Sequence, residues 1–489
     1  MRQIQKFSLE KRKTSLHIAS EKGNNDIVKL LIKQDIPLDD KDSEEFTALH
    51  LAAKNGYTLC CKELVKAGAD INSKSKNGQT PLHLAAKMKF THCCSFLLEN
   101  RADINTQDDD GNTALHIICS IRMNKGIGES AKCVTLLLKN YANPNIQNNL
   151  GETALQSAKK APTIVLKEFE NTNVNVTHTD LQGQTILHNV AYSKNASACE
   201  VILDICKRQE QDLIKFVNQK DNNSFTALHS AIKSKNAEAC KALIKAGADG
   251  NIFCNSHGNA LHMVAEFGHE DICDFIITKG TKIDVVNSNN KTALQIAAHK
   301  GQKKICKSLL NKNSNVLLTD SDGNTALHLA AIKGNTECCQ LLVDKNQQTV
   351  NKIDKDGKTP LHLAVLNGHL DCCKVLTNKK SEIWIKDKEG YSAAWYAYNK
   401  KHDEIFLLLV NSSNNYLKEE DVDFIEILKS AIEEQRKVVC EGLIQSNIWE
   451  ECLKAQSTSI NHNLRNIIQK YPNLAKDILD KCQIKDLNE

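Results

Sequence analysis

A segment of 33 residues, Thr47–Gln79, recurs with small changes along most of this chain. Thr47 is a residue type that caps a helix N-terminus, because its hydroxyl oxygen accepts an otherwise unpaired backbone N–H. Two stretches with apolar residues at helical spacing follow, and they end at Gly56 and Gly68. Glycine tolerates the left-handed conformation at a helix end. The segment therefore predicts a helix, a turn, a second helix and an extended hairpin.

About twelve copies of this segment follow one another, and most of them open with Thr-x-Leu-His. They begin at Thr14, Thr47, Thr80, Thr113, Thr153, Thr185, Thr226, Asn259, Thr292, Thr325, Thr359 and Ser392. In the last copy, Ser392-Ala393-Ala394-Trp395, the motif has decayed. Three copies are enough for a stable stack of repeats, so the chain can form a core of stacked neighbours.

The period and the opening motif together resemble the ankyrin-repeat family. The resemblance implies an all-α solenoid of about twelve helix-turn-helix repeats with hairpin loops. It also implies that partner proteins bind at the concave surface of the repeats. A small helical domain is expected to follow the array. The expected boundaries are an N-terminal segment at 1–13, the array at 14–414 and a helical, linker-like domain at 415–489.

Three repeats depart from the regular pattern. Extra residues fall near Ser120–Ser130 and near Cys206–Lys220, and Pro162 interrupts the helical pattern of the repeat that opens at Thr153. One interpretation is simple variation in loop length, which solenoids tolerate. The other is a local change in the curvature of the stack between about residues 120 and 225.

Composition narrows the functional classes. The chain has 63 Lys and Arg against 59 Asp and Glu, a net charge of +4, and 5% aromatic residues. A nearly balanced charge without a dense basic block predicts no nucleic-acid binding. The segment Met1–Lys13 lacks the apolar core of a signal peptide. No run approaches the roughly 18 apolar residues of a membrane span, so we expect no transmembrane segment in this chain.

The nineteen cysteines follow the repeat rather than a disulfide pattern. Eight of them lie fourteen residues after their repeat's opening position: Cys61, Cys94, Cys199, Cys240, Cys273, Cys306, Cys339 and Cys373. A position that recurs on the second helix predicts a small, buried and inert hydrophobe. Four repeats carry a Cys-Cys doublet, whose members point to different helix faces. We expect a reducing cytosol and, because no Cys-x-x-Cys is present, no metal.

Nine of the seventeen histidines are the fourth residue of the opening motif, from His17 to His362. A catalytic or metal-binding histidine is expected at one special position, whereas these occur in almost every repeat. In ankyrin repeats this histidine ties the motif to the neighbouring turn. No phosphate-binding loop or nucleophile motif is present either. We therefore expect no catalytic site and no cofactor, and the chain is not expected to be an enzyme.

The tail carries a second resemblance. The stretch Trp449-Glu450-Glu451-Cys452-Leu453, followed about 25 residues later by Lys476–Cys482, resembles the pre-membrane linker of TRPA channels, the ankyrin-type transient receptor potential channels. In that family the ankyrin array and linker precede six membrane helices and a tetrameric pore, which this sequence lacks.

The TRPA resemblance implies a role in channel assembly, gating input and stimulus sensing. It also implies a homotetramer through the channel's membrane domain and a location on the cytoplasmic side of a membrane. The alternative is a soluble cytoplasmic adaptor that binds proteins through its repeats.

The resemblance also suggests functional residues in the tail. Family members sense electrophiles through linker cysteines, and Cys452 and Cys482 are the candidate reactive thiols. Near Asn461-His462-Asn463, where another such cysteine falls in the family, this chain has none. The alternative for both thiols is ordinary packing. Trp449 is the candidate anchor of the linker domain. The aromatic residues Trp384, Trp395, Tyr396 and Tyr398 are expected to pack the last repeat against the tail.

Overall fold

The computed structural model describes residues 12–121, 127–193, 195–379, 381–412 and, in the tail, 427, 430–431, 433–434 and 436–445. These residues belong to two units, Met1–Ser256 and His257–Glu489. The helices of the first unit are α1 Ser15–Lys22, α2 Asn25–Ile32, α3 Ala48–Lys54, α4 Thr58–Lys66, α5 Pro81–Lys87, α6 Thr91–Glu99, α7 Ala114–Ser120, α8 Ile127–Lys139, α9 Ala154–Ser157, α10 Thr163–Lys167, α11 Ile186–Tyr192, α12 Ala196–Arg208, α13 Leu213–Val217, α14 Ala227–Lys233 and α15 Ala237–Lys245.

The second unit contains α16 Ala260–Phe267, α17 Glu270–Thr278, α18 Ala293–Lys300, α19 Lys303–Asn311, α20 Ala326–Lys333, α21 Thr336–Lys345, α22 Pro360–Leu366, α23 Leu370–Asn378, α24 Ala393–Asn399, α25 Asp403–Ser412 and α26 Lys437–Gln445, with a short 3₁₀ helix at Gln347–Thr349. Twelve helix pairs begin at the twelve positions that the repeat predicts. In the described ranges, no β-strand extends beyond an isolated bridge. The all-α repeat fold is therefore confirmed.

Each first helix begins at its predicted cap. In the second repeat Thr47 N–H donates to His50 Nδ1 at 3.1 Å, and His50 N–H donates to Thr47 Oγ1 at 3.4 Å. This reciprocal arrangement pairs two backbone donors that a helix N-terminus leaves free. The α20 helix ends at Gly334, whose φ of 72° is the left-handed conformation that glycine adopts most easily.

The core of each unit lies between the paired helices and between neighbouring repeats. All eight cysteines of the recurring second-helix position are at most 1% exposed. They pack with leucine, isoleucine and alanine side chains, so the prediction of a small buried hydrophobe at this position is confirmed. Helices of successive repeats pack side by side, as α18 and α20 do, and α19 and α21.

Asparagine and aspartate side chains link neighbouring repeats outside the core. The side chain eight residues before an opening position accepts a backbone N–H from the next repeat. Thus Asn72 Oδ1 accepts from Asp103 N–H at 2.9 Å. The same contact joins Asp39 to Asp70, Asn105 to Asn143, Asn145 to Asn175, Asn218 to Asp249, Asp284 to Asn315 and Asn351 to Glu382. We call these contacts the Asx ladder.

The irregular repeats contain the expected extra residues. The α8 helix has thirteen residues and begins at Ile127. The second insertion lengthens α12 to thirteen residues and adds the short helix α13. Pro162 is the N-cap of α10, and α9 before it has only four residues, so the predicted interruption is confirmed. An altered curvature of the stack stays a prediction.

The described part of the tail packs against the last repeat, because α26 lies against α25. Arg436 carries much of this contact. Its guanidinium lies over the Tyr398 ring, with Cζ 4.3 Å from the centroid, and its Nη1 donates to Tyr398 O at 2.8 Å. Its Nη2 donates to the Asp403 carboxylate. Of the aromatic residues expected at this junction, Tyr398 is the one that contacts the described tail through these bonds.

Replacing Arg436 with lysine is expected to loosen the contact between α26 and α25. Lysine keeps the charge but loses the planar donor fork and its stacking on the ring. Hydrogen bonds to charged groups contribute about 1.5–3 kcal/mol, so amide hydrogen exchange within α26 should accelerate at least tenfold. The control is Lys437→Ala, which removes an exposed ion pair with Glu441. Equal protection of α26 in both variants would contradict this role of Arg436.

Candidate functional site

The motif histidines use both ring nitrogens for structure. In the second repeat the Nδ1 of His50 accepts from Thr47, while its Nε2 lies 3.0 Å from the carbonyl oxygen of Gln79 in the next hairpin. Because Nδ1 accepts a backbone N–H, the proton lies on Nε2 and is donated to that carbonyl. The same Nε2 contact occurs at His17, His83, His116, His188, His262, His328 and His362. These rings therefore join each repeat to the next.

Burial keeps these histidines neutral. It lowers the pKa of His50 and of His328 to about 4. Burial lowers the pKa in the same direction at His83, His116, His188, His262 and His362. Two repeats have glutamine instead, and Gln295 reproduces the arrangement: its Oε1 accepts from Thr292 N–H at 2.7 Å and its Nε2 donates to Asn324 O at 2.9 Å. The position therefore requires one acceptor and one donor, which argues for a structural role.

The last repeat presents a pair of stacked aromatic rings where the others have this histidine. Trp395 occupies the fourth motif position, and its ring stacks on Tyr391 with centroids 3.8 Å apart and planes 17° apart. Both side chains are partly exposed. Ser392 Oγ accepts from Trp395 N–H at 3.2 Å, so the helix is still capped. We call Tyr391 and Trp395 the aromatic pair.

A buried carboxylate supports the aromatic pair from below. Tyr396 crosses the Trp395 ring edge-to-face at 5.4 Å and donates its hydroxyl to Asp387 Oδ2 at 2.7 Å. Lys358 Nζ lies 3.4 Å from the same oxygen. Burial opposes ionisation of Asp387, but the hydrogen bonds from Tyr396 and the Tyr391 N–H, together with Lys358, lower its pKa. The pair thus rests on an ionised, fully engaged carboxylate, which fixes the ring positions.

Comparison with protein families assigns the chain. A family model described as ankyrin repeats, three copies, matches residues 2–75, 58–148, 91–165, 163–254, 261–354, 313–387 and 346–421. The chain belongs to the ankyrin-repeat family. Comparison with curated protein sequences gives no match. Ankyrin repeats mediate protein–protein interactions, and this general function extends to the present chain.

Within this ankyrin array, the aromatic pair lies beside further apolar surface. Leu363 and Leu366 on α22 are partly exposed, and α22 packs beside α24, which carries Trp395. Ile353, in the hairpin before α22, is 52% exposed. We call Ile353, Leu363, Leu366 and the aromatic pair the terminal surface. Sequence reasoning singled out Trp395 but missed Tyr391, although an aromatic residue directly before the cap was a usable signal.

The cysteines in the described ranges form no disulfide, and all seventeen of them are buried. Across those same ranges, no three histidine, cysteine or carboxylate side chains converge as a metal site. Within the part of the chain that the structure describes, every helix is too short or too polar to cross a lipid bilayer.

The three tail residues that the sequence suggested as functional lie outside the described residues. They are Cys452, Cys482 and Trp449. The reactive-thiol role of the two cysteines and the anchoring role of Trp449 stay predictions.

Proposed function

We propose that this ankyrin array is a binding scaffold, not an enzyme, and that the terminal surface is one site at which it binds a partner protein. Ankyrin repeats are interaction modules, and this surface has the composition that binding requires. Tryptophan and tyrosine are enriched among residues that dominate binding energy, because they bury large areas with few rotatable bonds. The partner is therefore a protein that offers an apolar segment to the aromatic pair.

The observation that carries this proposal is the exposure of Trp395 and Tyr391. A tryptophan and a tyrosine that served only the core would be buried, as Tyr396 is at 7% exposure. The aromatic pair instead stays partly exposed, although Asp387 and Tyr396 hold the surrounding residues in fixed positions. A preorganised aromatic surface loses little conformational entropy when a partner covers it.

The test is selection of peptides from a displayed random library on the immobilised full chain, followed by calorimetry of the peptides obtained. Trp395→Ala is expected to weaken their binding by about thirtyfold, equivalent to roughly 2 kcal/mol, because hot-spot residues contribute at least that much. The matched control is Tyr192→Ala, which removes an aromatic ring that is 58% exposed at the end of α11. Peptides that bind Trp395→Ala as tightly as the unmodified chain would contradict the proposal.

We propose as a second candidate that the array and its tail are the cytosolic region of a TRPA-like channel subunit. The support is the sequence of the tail, with Trp449–Leu453 and Lys476–Cys482, and the packing of α26 against the last repeat. In that setting the chain acts on the cytoplasmic side of a membrane, in a homotetramer, and passes gating input from the array to a pore. As an adaptor it acts in the cytoplasm without that assembly.

Sequencing the transcript beyond Glu489 separates the two candidates. Six hydrophobic segments of membrane-spanning length after Glu489 would support the channel subunit. A stop codon directly after Glu489 would favour the adaptor.

A further inference from the structure

Thiols of adjacent repeats meet in pairs within each unit. In the second unit Cys339 Sγ lies 3.8 Å from Cys372 Sγ. The thiols of Cys306 and Cys338 are 3.9 Å apart. In the first unit Cys94 and Cys133 are 3.8 Å apart, and Cys61 donates a hydrogen bond to Cys93. Each pair therefore joins the second helices of two successive repeats.

The Cys-Cys doublets explain these pairs. Consecutive residues on a helix point about 100° apart, so the two thiols of a doublet face different neighbours. In the doublet Cys338-Cys339 the first thiol meets Cys306 of the preceding repeat, and the second meets Cys372 of the following repeat. Sequence reasoning excluded bonding within a doublet. It missed the contact between repeats.

Two of the pairs have an additional polar partner. Thr336 Oγ1 lies 3.5 Å from Cys372 Sγ, and Thr58 Oγ1 lies 3.1 Å from Cys93 Sγ. The hydrogen bond from Cys339, with that from Thr336, lowers the pKa of Cys372 to about 7. Donation to Cys372, together with burial, raises the pKa of Cys339. Cys372 is therefore the thiol of this pair that ionises first. The position equivalent to Thr336 in the repeat of Cys306 is Lys303.

We propose that Cys339 and Cys372, and equivalently Cys61 and Cys93, are oxidation sites at which a hydroperoxide joins adjacent repeats by a disulfide. The two sulfur atoms of the first pair are already in van der Waals contact and must approach from 3.8 Å to about 2.05 Å. The threonine hydroxyl and the partner thiol both stabilise the attacking thiolate. Both thiols are 0% exposed, so the reagent enters when neighbouring repeats separate locally.

The reaction balances with the hydroperoxide as the two-electron oxidant. The Cys372 thiolate attacks one peroxide oxygen, the O–O bond breaks, and the leaving oxyanion takes a proton to give an alcohol or water. Cys372 is then a sulfenic acid. The Cys339 sulfur attacks the Cys372 sulfur, the S–S bond forms and the S–O bond breaks. The hydroxide that leaves takes the Cys339 proton and becomes water. Two thiols are oxidised and one peroxide is reduced.

The experiment treats the reduced full chain with hydrogen peroxide under native conditions. Remaining thiols are blocked with N-ethylmaleimide in denaturant, and peptides are mapped by mass spectrometry. We expect a reductant-sensitive peptide pair that joins Cys339 to Cys372. It should form at least threefold faster than a pair joining Cys306 to Cys338, because thiolate content controls the rate.

Two variants make the result decisive. Cys339→Ala removes the resolving thiol without adding a polar atom, so the crosslink should disappear and Cys372 should gain oxygen instead. The control Cys206→Ser changes a buried thiol whose partner is the carbonyl oxygen of Gln211, and it should leave the crosslink unchanged. Circular dichroism verifies that each variant is folded. The proposal is overturned if no crosslink forms, if it forms in denaturant alone, or if other pairings are equally abundant.

Discussion

Lowering the pH from 7 to 5 is expected to destabilise the array by about 2 kcal/mol for each motif histidine whose pKa lies near 4. His50 and His328 are such residues, because burial lowers their pKa to about 4 from an ordinary value of 6.5. Five other motif histidines shift in the same direction, so the total effect exceeds that of these two. Because domain stability is about 5–15 kcal/mol, this loss is enough to begin unfolding.

The direction follows from proton uptake. A histidine with a depressed pKa in the folded state binds its proton more readily after unfolding. Between pH 6.5 and about 4 the unfolded chain therefore holds more protons, and stability decreases as the pH decreases. The contribution is fully present above pH 6.5 and is lost as the pH falls through this range. Protonation of Nδ1 also removes the acceptor for the cap N–H, as at Thr325 and His328.

The measurement is urea unfolding at pH 7 and pH 5 for the unmodified chain and for His328→Gln. Gln295 shows that glutamine accepts from the cap and donates to the next hairpin. The variant should therefore fold like the unmodified chain at pH 7 and lose about 2 kcal/mol less at pH 5. The exposed His92 provides the control variant His92→Gln. A pH dependence that His328→Gln leaves unchanged would show that this histidine does not carry the effect.

Features that repeat every 33 residues could be predicted from the sequence. Each copy reports the same packing environment, so Thr47, Gly56 and Cys61 are supported by their equivalents along the array. The histidine role could be predicted for the same reason, because a residue present in nine copies cannot be unique to a site. Pro162 likewise marked its interruption, since proline fixes its own φ and lacks the N–H that a helix needs.

Contacts between copies could not be predicted in the same way. The pairing of Cys339 with Cys372 depends on the rotation of one repeat relative to the next, which no single repeat encodes. The Asx ladder was visible as an asparagine or aspartate eight residues before most openings, but its acceptor role needs the neighbouring backbone. The aromatic pair depends on a substitution in the last copy alone, where Trp395 replaces the histidine.

Introducing a carboxylate at the recurring cysteine position is expected to cost about 3–5 kcal/mol, because it buries a charge without a partner. Cys273 is suited to this test, since it is 1% exposed and burial raises the pKa of its thiol to about 12. An environment that resists a thiolate also resists a carboxylate. In Cys273→Asp the group must either ionise in an apolar site or fold in its protonated form, and both states lose stability relative to the unfolded chain.

The comparison that isolates charge from shape is Cys273→Val. Valine is close in size to cysteine and apolar, so this variant should lose less than about 1.5 kcal/mol. Urea unfolding of both variants at pH 7 gives the difference, and lowering the pH should narrow it as the new carboxyl group protonates in the unfolded chain as well. If Cys273→Asp were as stable as Cys273→Val, the recurring site would have to be open to water, and the packed core between successive repeats would be wrong.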